Sequence, residues 1–144
     1  METSLIEQLD KSRYNLVKWL TIGWMVWYGT FISKDLINNK VVIGSLLIIG
    51  LIGWILFTIN LIRFNRLGKK VKADRKLKEA LNNEMHQLYA YKSIYWGFGS
   101  VMGTIAIFIA ITSFHDLSAL IVCKLLLFVG ISTSLIANLA YNKS

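Results

Sequence analysis

The residues of this chain with distinctive chemistry are few: two histidines, one cysteine and one lysine set inside an apolar run. His86 and His115 stand 29 residues apart. On one uninterrupted helix that is about 43 Å, so one chain cannot bring both to a single haem or metal ion. Cys123 is the sole cysteine, which leaves no intrachain disulfide. Its expected role is that of a small apolar side chain in lipid or at a helix contact. Glu79, Asn82, Asn83 and Glu84 could hold an amphiphile headgroup, but a solvated helix face is much the stronger reading. No HExxH, CxxC or glycine-rich phosphate loop occurs, and the apolar blocks contain no acidic residue. The expectation is a non-enzyme without cofactor or metal.

Lys124 is different. It interrupts "LIVCKLLLFVG" at residues 120–130. An intramembrane charge is expensive and often marks a site. A lysine can also lay its stem along apolar surface and carry its ammonium to the interface. Both readings stay open, and Asp35 could partner Lys124 only if folding brings the two together. Asn60 and Asn138 are the other candidate intramembrane polar residues, placed to bond to each other across a bundle.

The elements that must carry these residues are visible as four blocks, residues 16–33, 41–62, 94–114 and 117–141, within a chain that is 55% hydrophobic yet carries a net charge of +8. A hydrocarbon core about 30 Å thick is crossed by roughly 20 apolar residues in a helix. A soluble helix is seldom so long and apolar on every side. The predicted fold is therefore an all-α integral membrane protein: one four-transmembrane-helix bundle over residues 1–144. Block one is shortest and could be mistaken for a signal peptide. Acidic residues precede it and no small-residue cleavage site follows, so it reads as a retained helix.

Charge predicts the orientation. Thirteen of the 16 Lys and Arg lie in the amino-terminal segment, the connection 63–93 and the tail, whereas the opposite connections hold only Lys34 and Lys40. Basic loops stay cytoplasmic, which places both termini inside; small size and compactness suggest a bacterial inner membrane. The connection 63–93 reads as a protruding cytoplasmic helical hairpin between helices 2 and 3. A break is predicted near Gly68–Ala73, with a long helix from Asp74 into the third span. Arg63, Arg66, Lys69, Lys70 and Lys72 lie beside anionic headgroups, where each Lys or Arg adds about 1 kcal/mol of attraction. Leu81 and Met85, on an apolar stripe with Leu88, could dock a soluble partner. The basic run lacks interleaved aromatics or any nucleic-acid motif, and nucleic acid is not expected as a partner.

Small residues mark the expected helix contacts. Gly99 and Gly103 form a GxxxG continued by Ala106 and Ala110; Gly130, Ser134 and Ala137 form a second small face. Such faces let helices approach closely in lipid, either inside one bundle or at a homo-oligomer seam. Two functional expectations follow, with an enzyme acting on lipid a third and weakest because no acid–base pair is visible. One is a non-enzymatic accessory, regulatory or immunity-type membrane protein that acts through helix packing and the hairpin. The other is a homo-oligomeric pore or small transporter with the polar side of the fourth span facing a lumen.

Overall fold

In the computed structural model, residues 2–73, 84–112 and 116–142 are described, with side chains for 7–69, 71, 87–112 and 116–142. These residues form four helices: α1 (Glu2–Ser33), α2 (Lys40–Ala73), α3 (Glu84–Thr112) and α4 (Ala119–Tyr141). The expected spans 16–33 and 41–62 fall within α1 and α2, 94–114 coincides with α3 as far as Thr112, its last two residues lying outside the described residues, and most of 117–141 falls within α4. Three of the four helices are long and apolar enough to cross a membrane: Lys40–Lys69 of α2, Gln87–Thr112 of α3, and α4. The 32 residues of α1 give about 48 Å of helix, but α1 is not among the three. Trp, Tyr, Thr and Gly dilute its apolar part, and Lys18 charges the start of it.

Local chemistry sets the ends of these helices. At the end of α1, Asp35 N–H donates to Ile32 O and Leu36 N–H to Ser33 O, both at 3.1 Å, which tightens the last turn. Asn39 then caps α2, its Oδ1 accepting from Val41 N–H at 3.0 Å, the usual way to satisfy a free amide at a helix start. The break predicted near Gly68 is not there: α2 runs through it to Ala73. A helical glycine costs about 1 kcal/mol relative to alanine, which the surrounding Leu, Lys and Ala residues sustain. Residues 74–83 and 113–115 lie outside the described residues, and with them the tip of the expected hairpin.

Packing joins α1 to α2, α3 to α4, and α1 to α4; α2 and α3 form no comparable joint among the described residues. The helices thus follow the order α2–α1–α4–α3, each antiparallel to its neighbour, and the bundle is open between α2 and α3. Among the described residues the buried apolar side chains are Leu20, Trp24 and Ile32, all on α1. Ile, Leu, Trp and Phe side chains of α2 and α3, among them Ile48, Ile52, Trp54, Phe98 and Ile107, point outward. Water-soluble monomers rarely carry apolar patches beyond a few hundred Å², so the solvent suited to this surface is lipid.

Candidate functional site

Close approach between helices rests on glycine. A Cβ at Gly23 of α1 would lie 2.6 Å from Phe57 N and 3.0 Å from Gly53 O of α2, and one at Gly53 would lie 2.6 Å from Trp27 N. Backbone thus meets backbone at the α1–α2 joint. Beside it Trp24 stacks on Tyr28 (4.7 Å between ring centroids) and Phe57 tilts against Trp24 at 5.8 Å. At the α3–α4 joint, a Cβ on Gly97 would collide with Ser134 Oγ and approach Gly130 O, while one on Gly130 would meet Val101 Cγ2 at 2.6 Å.

Gly130 and Ser134 therefore sit where α4 meets α3, and Ala137, half-buried, lies one turn beyond Ser134. Their counterpart on α3 is Gly97. A Cβ on Gly99 or Gly103 would find nothing within 4 Å, and Gly99, Gly103, Ala106 and Ala110 are all exposed. The GxxxG of α3 lies outside the packing of this chain, because its neighbour α4 meets the face that carries Gly97.

The charge in the fourth helix is locally neutralised. Lys124 Nζ donates to Asp35 Oδ2 at 2.5 Å and lies 4.6 Å from the Phe31 ring centroid, with Lys34 over the same ring at 4.3 Å. The tight turn after α1 aims Asp35 at α4, and the long lysine stem reaches it from inside the span. The hydrogen bond from Lys124 holds the Asp35 carboxyl below its ordinary range; burial opposes this, and the positive charges of Lys124 and Lys34 add to it. The lysine thus ends on the acid of the α1–α2 connection, tying α1 to α4 at that end.

Hydroxyl groups in the helices are largely bonded to their own helices. Thr21 donates to Val17 O, Thr30 to Val26 O, Ser100 to Gly97 O and Thr104 to Ser100 O, at 2.7–2.9 Å. The bond expected between Asn60 and Asn138 is not the one formed. Asn60 Nδ2 donates to Leu56 O at 2.7 Å, and Asn138 Oδ1 accepts from Asn142 Nδ2 at 3.3 Å. Each amide finds a nearer acceptor or donor one turn away on its own helix. Two buried polar atoms, Trp24 Nε1 and Ser132 Oγ, have no hydrogen-bond partner among the described residues.

At the end where α1 begins and α4 finishes, all four helices wall a crevice of about 250 Å³. Val17 and Leu20 of α1, Leu61 and Phe64 of α2, Ser93 of α3, and Ser134, Leu135 and Asn138 of α4 line it. Val17 and Asn138 also border a narrower cavity with Asp10, Arg13, Tyr14 and Asn142. Nearby, Trp96 Nε1 donates to Tyr141 OH at 2.8 Å, and Tyr89 stacks on the Tyr141 ring at 5.7 Å. Arg63, Arg66 and Lys69 are exposed on α2 at this same end. Lys70 and Lys72 belong to α2 and Met85 to α3, but their side chains, with Leu81 and both histidines, lie outside the described residues.

Sequence reasoning missed Gly23 and Gly97 as the joint-forming glycines; their small size was visible, but which face meets a neighbour depends on helix order. It missed the crevice because its lining comes from four separate segments. No cluster of His, Cys, Asp and Glu suited to a metal occurs among the described residues. Compared with protein-family models, characterised proteins and solved structures, the chain matches none.

Proposed function

We propose that this chain is a four-span protein of a bacterial inner membrane, with both termini cytoplasmic, that works as a non-enzymatic accessory, regulatory or immunity-type subunit. It acts by binding a transmembrane helix of another polypeptide. One observation carries the reading: α3 turns Gly99, Gly103, Ala106 and Ala110 outward with open space beside both glycines, while the chain's own joints use other glycines. A second small face of this spacing is what a partner helix needs for close approach in lipid.

Membrane crossing by α1 is supported by its neighbours. It lies between α2 and α4, two helices apolar enough to span. Inside-facing termini are supported by the side on which Lys11, Arg13, Arg63, Arg66, Lys69 and Lys92 gather. The basic hairpin and its lipid contacts belong to the same reading as a cytoplasmic docking element. The alternative, a homo-oligomeric pore or small transporter, is disfavoured by Lys124 ending on Asp35 and by hydroxyls bonded within their own helices.

The test is native mass spectrometry of the protein extracted in nanodiscs from its own membrane. A second polypeptide in the particle is expected, and Gly103→Leu should release it without unfolding the chain. A particle holding only one copy would overturn the reading, and a homo-oligomer alone would favour the pore or transporter.

A further inference from the structure

We propose that the crevice at the basic end is a binding site for one anionic glycerophospholipid. Its ester region and upper acyl chain fill the crevice, and its phosphate lies toward Arg13. The inference stands whether or not a partner covers α3.

The shape of the molecule creates the demand. Because α2 and α3 form no comparable joint among the described residues, the crevice faces the gap between them. Atoms lining an unfilled gap lose their dispersion contacts, and the apolar wall of Leu20, Leu61, Phe64 and Leu135 gives water few hydrogen bonds. The nearest fluid that suits such a wall is acyl chain.

Size narrows the occupant. Sites for drug-sized ligands run to about 300–1,000 Å³. A volume of about 250 Å³ corresponds to roughly eight water molecules at about 30 Å³ each, which is room for a chain segment and is below the range of drug-sized ligands.

Polarity places the ester region. Ser93, Ser134 and Asn138 enter the same lining as the five apolar residues. Asn138 Oδ1 is taken by Asn142, so its NH₂ group remains as the donor for an ester carbonyl. The crevice lies at the end of the apolar block of α2, where Leu61 is followed two residues later by Arg63. A phospholipid has its glycerol esters at this depth.

Charge selects the headgroup. Arg13 lies one turn before Val17 on the same face of α1 and lines the adjoining cavity, which Val17 and Asn138 connect to the crevice. Asp10 shares that cavity and has interactions of its own. Lys18, Arg63 and Lys92 are exposed and lie within two residues of the lining residues Val17, Leu61 and Ser93, and no ion pair among the described residues engages any of the four basic residues. The field there is positive and suits a phosphate without a compensating ammonium.

The experiment titrates the full-length protein, stripped of lipid in detergent, with phosphatidylglycerol or phosphatidylcholine of identical chains, read by native mass spectrometry. The first phosphatidylglycerol should bind about five-fold tighter than phosphatidylcholine, the ratio that one basic residue near a membrane surface supplies. Leu61→Trp, at a partly lipid-facing position, should fill the crevice and abolish the first binding step. Arg13→Gln should retain a lipid but lose the five-fold preference. Glycerol phosphate, which has the headgroup anion without chains, should not compete. Equal affinity for the two lipids on the parent protein overturns the proposal, as does competition by glycerol phosphate. Should Leu61→Trp fail to fold by circular dichroism, Arg13→Gln decides: an unchanged preference there overturns it.

Discussion

The α1–α2 joint offers a sharp quantitative prediction, because the two helix backbones nearly touch. Gly23→Ala adds one methyl group at a point 2.6 Å from Phe57 N and 3.0 Å from Gly53 O. Ordinary van der Waals contact begins at 3.4 Å, so the helices must part by about 0.8 Å locally. Neither obstacle is a flexible side chain that could swing aside. Parting them also loosens the Trp24, Trp27 and Phe57 rings that pack beside the glycines. Overpacking of this kind costs about 1–3 kcal/mol, against a gain in helix propensity of about 1 kcal/mol from removing a glycine. The steric cost should win, because the clash involves backbone on both sides. Gly99→Ala is the matched control: the same methyl meets nothing within 4 Å. Reversible unfolding by sodium dodecyl sulfate titration in mixed micelles, followed by Trp fluorescence, measures both. Gly23→Ala should unfold at lower detergent fraction than the parent, and Gly99→Ala at the parental value or above. Equal destabilisation by the two variants would refute the helix order α2–α1–α4–α3.

Two further predictions concern the opposite end and the topology. The folded pKa of Asp35 is lowered from 3.8 by its bond with Lys124. A carboxylate whose pKa falls on folding stabilises the fold above its unfolded pKa, and the contribution fades as pH drops through the folded value; acid should therefore weaken the parent below pH 3.8. Lys124→Leu should insert normally and flatten that acid limb, and an unchanged acid limb would show that the pair is not formed. For topology, cysteines placed singly at Asn38 and Lys69 after replacement of Cys123 should label from opposite faces of the membrane, and labelling from one face would remove α2 from the spans.

What was legible in the sequence follows from what lipid demands. An unbroken block such as 41–62 is a compositional signal needing no knowledge of neighbours, and α2 forms over it. The polar exceptions were visible too, since Lys124 stands alone in its block. Their pairing was not, because Lys124 and Asp35 are 89 residues apart and meet only when α4 packs on α1 instead of on α2. Small residues occur on several faces of α3, and nothing local separates Gly97, against Ser134, from Gly99, against open space. At Gly68 a local rule gave the wrong break: one glycine does not end a helix whose flanks all favour it.

The same physics explains why the least apolar of the four helices lies between two others. In lipid there is little hydrophobic drive between helices, and packing and hydrogen bonding decide the neighbours. A helix exposed to hydrocarbon all round must be apolar all round; one flanked on two sides need be apolar only where lipid touches it. α2 and α3, at the ends of the row, show Ile, Leu and Phe outward. α1, with α2 on one side and α4 on the other, buries Thr21 at 3% exposure and Trp24 at 7%. Thr21 is bonded within its own helix, and Trp24 is stacked on Tyr28. On the proposed four-span reading, average hydropathy underrates α1, because a share of its surface is covered by its neighbours. The glycines at its joint with α2 and the Lys124–Asp35 tie to α4 are the contacts that hold it there. A variant that opens either contact would expose to lipid a face whose composition suits helix packing.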